Sequence, residues 1–135
     1  GDWSADVCSS DRPDYAEKTR AGTLIVPTVE SEGALNELDE ILSVDGIELV
    51  WLAAGDVTKI LGVPFKYEDP KVMRLVENAV KTAERNGAAI MYNMGLDSPD
   101  FESMAAAAKR LFDMGVRVVG LGADRKSTRL NSSHW

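Results

Sequence analysis

Residues Thr23 to Asp56, which read TLIVPTVESEGALNELDEILSVDGIELVWLAAGD, give the clearest indication of the fold. An apolar run ends at Glu30, an amphipathic segment follows, and a second apolar run ends just before Asp56. This pattern predicts a strand, a helix and a second strand, with an acidic residue after each strand. Since the strands of a βαβ unit lie parallel, we expect both carboxylates at the carboxyl edge of the sheet, where α/β folds bind ligands.

Two acidic side chains at one sheet edge indicate a metal site. Carboxylate oxygens are hard ligands of the kind that Mg²⁺ and Mn²⁺ prefer, so Glu30 and Asp56 are candidate ligands of a divalent cation. The simpler interpretation is structural, because acidic residues are common in the first turn of a helix and Asp is a frequent N-cap. The pattern alone leaves both interpretations open.

The rest of the chain repeats the alternation of strand and helix. Apolar runs predict buried strands, and periodic segments that follow Ser, Asp or Pro predict helices. The predicted strands cover residues 23–29, 47–53, 88–93 and 116–121, and the predicted helices cover 31–45, 70–86 and 98–114. We therefore predict an α/β fold in which parallel (β/α) units form the C-terminal half of a (β/α)8 TIM barrel. Half a barrel leaves two open sheet edges.

The two ends of the chain differ from the middle. Residues 2–11 (DWSADVCSSD) and 124–134 (DRKSTRLNSSH) are polar and Ser-rich, lack periodicity, and resemble translated sequencing adapter. We predict that residues 1–11 and 124–135 are not native and that one partial barrel domain covers 12–123. The only cysteine and the only histidine lie in these ends, so we expect no Cys/His nucleophile pair.

Composition excludes several classes of partner. The 135 residues carry a formal net charge of −7, which argues against nucleic acid or an anionic membrane as a partner. No apolar run approaches the roughly 18 residues that a membrane-spanning helix needs. The predicted native part has no cysteine and hence no disulfide framework. We expect a cytoplasmic protein.

Several segments together resemble the second half of one enzyme family. The chain is similar to the HpcH/HpaI aldolases, which are metal-dependent class II pyruvate aldolases with (β/α)8 barrels of the phosphoenolpyruvate/pyruvate superfamily. The resemblance extends from about Tyr15 to Gly122 and is strongest between Ile25 and Gly62. The segments that carry it are IVPTVES (25–31), ALNELDEIL (34–42), DGIELVW (45–51) and the turn Gly55-Asp56.

This resemblance implies roles for individual residues. Glu30 and Asp56 match the two carboxylate metal ligands of the family, and the cofactor would be Mg²⁺ or Mn²⁺. The backbone amides of Gly55 and Asp56 match those that hold the pyruvate carboxylate, a role that suits a helix N-terminus. Thr28 stands where the family usually has Gln, and we expect it to be either a polar residue near the substrate or an ordinary strand threonine. Residues 53–56 read Ala-Ala-Gly-Asp where the family usually has Gly-Pro-Ala-Asp.

The reaction implied is aldol cleavage of a 4-hydroxy-2-keto acid to pyruvate and an aldehyde. The metal stabilises the charge on the keto oxygen, and a base takes the proton from the C4 hydroxyl. The resemblance places that base and a substrate-binding Arg in the missing N-terminal half, so this part contains no catalytic residue and is expected to be inactive alone. It also implies a homo-oligomer for the full-length protein.

Two other functions stay open. One is a citrate- or malyl-thioester lyase that uses the same two acids on a CoA ester. The other is a non-catalytic fragment that associates through exposed strand edges. Among the remaining residues, Lys59 is expected to be solvated, and Trp51 and Tyr92 are expected in the core. Asn93 either caps the end of its strand or lines a pocket.

Overall fold

The computed structural model describes residues 14–94 and 100–121, with Ala16 and Met94 described by their backbone alone. Ten elements follow one another along the described residues. They are α1 (Tyr15–Ala21), β1 (Thr28–Val29), α2 (Glu32–Asn36), α3 (Leu38–Leu42), β2 (Leu49–Leu52), α4 (Ala54–Ile60), α5 (Pro70–Arg85), β3 (Ala89–Met94), α6 (Phe101–Asp113) and β4 (Val118–Leu121).

The four strands form one parallel sheet in chain order. Its order is β1-β2-β3-β4, and each neighbouring pair is parallel. Every strand is joined to the next by a helical connection, as in a singly wound barrel of βα units. The predicted α/β class and the partial parallel barrel are therefore confirmed.

The two faces of the sheet are buried to different extents. Residues paired across parallel strands share a face, and one face carries the core. That face includes Val29, Val50, Leu52, Ile90 and Tyr92, each at most 1% exposed, packed with helical side chains. The opposite face carries a row in which Thr28 and Val118 are exposed and Trp51 and Met91 are half-buried. In a closed barrel this second face would line the interior.

Helix α5 follows from local signals in the sequence. The Asp69 carboxylate accepts a hydrogen bond of 2.9 Å from the backbone N–H of Lys71, and Pro70 occupies the first helical position. The buried side chains recur at helical spacing and face the sheet, and Gly87 follows the helix with φ of 68°. The buried set is Val72, Val76, Ala79, Val80 and Ala83. The helix predicted over residues 70–86 is confirmed, and it ends one residue earlier.

The single helix predicted after Ser31 is instead two short helices. Ser31 is the N-cap as predicted, because its Oγ accepts a hydrogen bond of 3.2 Å from the N–H of Ala34. The backbone then leaves the helical conformation at Glu37 (φ −97°, ψ 13°), between α2 and α3. Gly33 and Asn36 are poor helix formers, which weakens the first of the two helices.

The predicted strand over residues 23–29 is wrong for most of its length. Strand β1 contains two residues, and the side chains of Leu24 and Ile25 are 54% and 60% exposed. The first bond to β2 runs from the N–H of Trp51 to the carbonyl of Pro27, at 2.9 Å. Because β2 begins only at Leu49, which the register places opposite residue 26, residues 23–25 have no described strand beside them.

The start of α6 also differs from the sequence prediction. The expected cap at Ser98 and proline at Pro99 lie outside the described residues. In the structure the helix begins at Phe101, and the carboxylate of Asp100 accepts hydrogen bonds from the N–H groups of Glu102 and Ser103 at 3.4 and 3.1 Å. The hydrogen bonds from Ser103 hold the pKa of Asp100 below its usual value.

Within the described ranges, no helix has both the length and the apolar character needed to cross a membrane.

The difference between the buried core and the exposed start of β1 is measurable. Leu52→Ala removes a fully buried side chain and is expected to lower the free energy of unfolding by about 2–5 kcal/mol. Leu24→Ala is the matched control and is expected to cost less than about 0.5 kcal/mol, since Leu24 is exposed. Urea denaturation followed by circular dichroism measures both, and equal losses would contradict the arrangement of β1.

Stability at alkaline pH depends on the buried phenol of Tyr92. Burial raises the pKa of Tyr92 to about 12, and the nearby Tyr67 contributes to the rise. An unfolded tyrosine loses its proton near pH 10, so the folded state binds more protons above that pH. We therefore expect the free energy of unfolding to fall by roughly 2–3 kcal/mol between about pH 10 and pH 12.

The variant Tyr92→Phe isolates this contribution, because it keeps the ring and removes the titrating hydroxyl. Urea denaturation at a series of alkaline pH values is expected to show a steeper loss in the parent chain than in the variant. Parallel pH profiles for the two proteins would show that Tyr92 does not titrate with a raised pKa.

Candidate functional site

The structure places the two candidate metal ligands at one edge of the sheet. Glu30 directly follows β1, and Asp56 lies in α4, which begins two residues after the end of β2. The two strands are parallel neighbours, and the N–H of Ala53 donates to the carbonyl of Val29 at 3.0 Å. The residue before Glu30 is therefore hydrogen-bonded to the turn that leads into the helix of Asp56. The predicted common edge for these carboxylates is observed.

Helix α4 begins without a local side-chain cap. Ala53 occupies the N-cap position in an extended conformation (φ −75°, ψ 97°). The first helical hydrogen bond joins the N–H of Val57 to the carbonyl of Ala53 at 2.9 Å. Asp56 is the third residue of the helix, so its interpretation as an N-cap is wrong. Gly55 and Asp56 lie in the first turn, where backbone N–H groups have no partner within the helix.

Asn93 supplies the missing cap from the neighbouring strand. Its Oδ1 accepts a hydrogen bond of 3.0 Å from the N–H of Ala54, the first residue of α4. The same oxygen accepts a hydrogen bond of 3.1 Å from the indole Nε1–H of Trp51. The structure does not show the expected capping of its own strand end, because the Asn93 side chain instead caps a helix that begins 39 residues earlier in the chain. No local sequence pattern predicts a cap from a residue so distant in the chain.

The threonine in α4 holds the first turn from inside the protein. Thr58 is fully buried, and its hydroxyl donates to the carbonyl of Gly55 at 2.8 Å. The same hydroxyl accepts a hydrogen bond of 3.0 Å from the N–H of Phe65, whose φ of 62° is unusual for a residue other than glycine. The sequence pattern does not reveal this residue, because a threonine between Gly55-Asp56 and Lys59 in a short helix gives no burial signal.

A lysine accompanies the candidate metal ligand on α4. The Nζ of Lys59 lies 3.8 Å from the Oδ1 of Asp56, and both side chains are about half exposed. The same ammonium lies 5.5 Å from the ring centroid of Phe65, within the range of a cation–π contact. Lys59 is solvent-exposed as expected, but it is also the charged neighbour of Asp56. At this exposure the ion pair contributes little to stability.

Thr28 lies on the open face of the sheet. It is exposed and its Cα partner across β2 is Trp51. Asn93 follows Met91 by two residues and therefore points to the same face. Thr28, Trp51 and Asn93 thus share the face that a closed barrel would enclose, near the edge that carries Glu30.

The donor set at this edge fits a hard divalent cation. Among residues 14–94 and 100–121, no group of three or more His, Cys, Asp or Glu side chains is arranged to hold a metal. Two carboxylates are nevertheless enough for Mg²⁺, which usually keeps several waters and takes one or two carboxylates together with substrate oxygens. Glu30 and Asp56 could hold such an ion with its other positions filled by water and substrate.

Comparison with known proteins identifies relatives over nearly the whole chain. The model of the HpcH/HpaI aldolase/citrate lyase family matches residues 4–122. This range begins within the N-terminal stretch that sequence analysis sets aside, and the proposed boundary at residue 12 stays a prediction.

Two curated relatives are aldolases by name. The hydroxypyruvate/pyruvate aldolase of Agrobacterium fabrum is 26% identical over 114 residues, which are 82% of this chain and 39% of that protein. The 4-hydroxy-2-oxo-heptane-1,7-dioate aldolase of Salmonella typhi is 28% identical over 112 residues, which are 83% of this chain and 40% of that protein. The chain thus spans about two fifths of the length of these relatives.

A solved structure shows the same fold. The HpcH/HpaI aldolase/citrate lyase family protein from Burkholderia cenocepacia J2315 superposes with a TM-score of 0.70 at 21% sequence identity. The superposition covers 91% of this chain and 46% of the other. The chain therefore corresponds in fold to somewhat less than half of that protein.

The buried hydroxyl of Thr58 is expected to stabilise the edge of the sheet. Thr58→Val keeps the shape and removes the acceptor of the Phe65 N–H, which should lower the free energy of unfolding by about 1–3 kcal/mol. Thr82→Val is the matched control, because the Thr82 hydroxyl only bonds back to the carbonyl of Asn78 within α5. Urea denaturation compares the two, and a cost at Thr58 no larger than at Thr82 would contradict the assigned role.

Proposed function

The chain belongs to the HpcH/HpaI aldolase/citrate lyase family, and on this premise we propose that it is part of an aldolase that cleaves a 4-hydroxy-2-keto acid to pyruvate and an aldehyde. The observation that carries the proposal is the placement of Glu30 and Asp56 at the carboxyl ends of two neighbouring parallel strands. This is the edge at which (β/α) barrels bind their substrates. The aldolase names of the relatives support the same reaction class.

In this proposal the carboxylates of Glu30 and Asp56 hold Mg²⁺ or Mn²⁺. When bound, the cation supplies positive charge for the keto oxygen, on which negative charge develops as the C3–C4 bond breaks. Glu30 directly follows β1 and Asp56 lies in the helix after β2, and these two segments are joined by the hydrogen bond between Ala53 and Val29. That bond limits how far the two ligands can move apart.

The first turn of α4 binds the carboxylate of the keto acid. The amides of Gly55 and Asp56 have no partner within the helix and can donate to an anion at this position. Thr28 lies on the open face below this edge and supplies a hydroxyl that can hydrogen-bond to the substrate. Lys59, beside Asp56, adds positive charge that attracts an anionic substrate.

The base for the C4 hydroxyl belongs to the remainder of the full-length protein. The relatives are more than twice as long as the matched segment, and the described sheet leaves apolar side chains exposed near both edges: Leu24 and Ile25 before β1, and Val118 and Leu121 in β4. We propose that further strands complete the barrel along these edges and bring the base to the open face. The full-length protein is proposed to be a homo-oligomer.

The family description also includes citrate lyase, so a CoA-thioester substrate is the second candidate. The two candidates differ in the group that the site must bind, which is a free 2-keto acid in the first and an acyl thioester in the second. Assaying release of pyruvate from a 4-hydroxy-2-keto acid beside cleavage of citryl- or malyl-CoA distinguishes them.

The metal assignment is testable in this chain alone. Glu30→Gln and Asp56→Asn are each expected to weaken Mn²⁺ binding by at least about 100-fold, the upper end of the loss caused by removing a residue that merely orients a ligand. Glu48→Gln is the control, because Glu48 is exposed, as Glu30 is, but lies before β2, at the opposite end of that strand. Water proton relaxation measures Mn²⁺ binding, and unchanged affinity in either variant would remove that residue from the site.

Activity is tested by completing the barrel. We would join this chain to the N-terminal half of the Salmonella typhi aldolase and assay Mn²⁺-dependent pyruvate release, with the unjoined chain beside it. Activity in the joined protein, lost in Glu30→Gln and kept in Glu48→Gln, supports the proposed reaction. If Mn²⁺ binds but neither the joined nor the unjoined protein releases pyruvate, the result would count against an aldolase.

A further inference from the structure

The side-chain oxygen of Asn93 accepts two hydrogen bonds next to the proposed metal site. The Oδ1 of Asn93 lies 3.1 Å from the indole Nε1 of Trp51 and 3.0 Å from the backbone N of Ala54. Both partners are N–H donors, so the carbonyl oxygen of the amide must face them and the NH2 group must point elsewhere. The chemistry of the partners thus fixes the orientation of the Asn93 side chain.

The sheet register brings Asn93 to this position. Trp51 pairs with Met91, and Asn93 follows two residues later on the same face, opposite Gly120 of β4. A Cβ atom at residue 120 would lie 3.2 Å from the Cβ of Asn93, closer than ordinary van der Waals contact. Glycine at this position therefore leaves room for the Asn93 side chain beside β4.

The first residues of α4 are consequently held from both neighbouring strands. On one side, the N–H of Ala53 donates to the carbonyl of Val29 in β1. On the other side, the N–H of Ala54 donates to Asn93 at the end of β3. Since Ala53 has no side chain to cap the helix, Asn93 supplies the side-chain contact that orients this end of α4.

We propose that Asn93 is a positioning residue of the site, which sets the direction of α4 and hence the position of the Asp56 carboxylate relative to Glu30. This inference rests on the proposed metal site and adds a residue that touches neither metal nor substrate. The indole of Trp51 acts with it, because its N–H holds the same oxygen from the middle of the sheet. A displacement of the Asn93 oxygen would release the N–H of Ala54 and let the first turn of α4 shift.

The test compares Mn²⁺ binding by three variants with binding by the parent chain. Asn93→Leu keeps the approximate size and removes the acceptor, and we expect about tenfold weaker binding, as for loss of a residue that orients a metal ligand. Asn93→Asp keeps an oxygen acceptor for both donors and is expected to bind Mn²⁺ at least as tightly as the parent chain, because its added negative charge attracts a cation. Asn86→Leu is the matched control, because Asn86 bonds to Asp39 and to the carbonyl of Thr82, outside the site.

Affinities are measured by water proton relaxation and expressed per folded molecule, with the folded fraction from circular dichroism. A purely structural role predicts that Asn93→Leu loses stability, as Asn86→Leu does, while the affinity of its folded fraction stays at the parent value. That result overturns the inference. So does an Asn93→Asp variant that binds as weakly as Asn93→Leu, since the acceptor oxygen would then not be what matters.

Two further results also bear on the inference, namely an unfolded Asn93→Leu variant and a parent chain that binds no Mn²⁺. If Asn93→Leu does not fold, Trp51→Phe replaces it, because this change keeps an aromatic ring and removes one of the two donors. Weaker Mn²⁺ binding by Trp51→Phe supports the inference and unchanged binding overturns it. If the parent chain itself binds no Mn²⁺, the proposed metal site fails and the positioning role fails with it, whereas binding by the parent with no effect at Asn93 defeats the inference alone.

Discussion

The turn between β2 and α4 depends on hydrogen bonds from both of its neighbours in the sheet. The carbonyl of Val29 accepts from Ala53, and the side chain of Asn93 accepts from Ala54. The helix that follows is too short to be stable by itself, so its direction is set by these two contacts and by the buried hydroxyl of Thr58. The positions of the Gly55 and Asp56 amides and of the Asp56 carboxylate therefore depend on these contacts.

The two faces of the sheet are buried to different extents, because helices cover only one of them. One face is closed by α3, α4 and α5 and contains the fully buried side chains. The other carries Thr28, which is exposed, and Trp51, Met91 and Asn93, which are only partly buried. A singly wound parallel sheet places its helices on one side, so the second face needs further strands to enclose it. The relatives are more than twice as long as the segment that matches this chain.

The charged pair at this edge is exposed and adds little to stability. Asp56 has Lys59 at 3.8 Å, in an exposed pair that water and salt weaken readily. Such a partner leaves the carboxylate accessible to a cation while keeping positive charge close by for an anion. The aromatic ring of Phe65 lies 5.5 Å from the same ammonium. A polar, exposed edge above an apolar core is the general form of a ligand site on a βα sheet.

Features that depend on neighbouring residues in the chain could be predicted from the sequence alone. The apolar runs ending near Glu30 and Asp56 indicated parallel strands with acids at one edge, and Asp69-Pro70 with its periodic stripe gave α5 almost to the residue. Tertiary structure decided the rest. The register ended β1 after two residues and left Leu24 exposed, and it brought Asn93 to a helix 39 residues away. The physical reason is that strand pairing and distant caps depend on partners brought together only by the fold, whereas helix caps and hydrophobic periodicity act within a few residues.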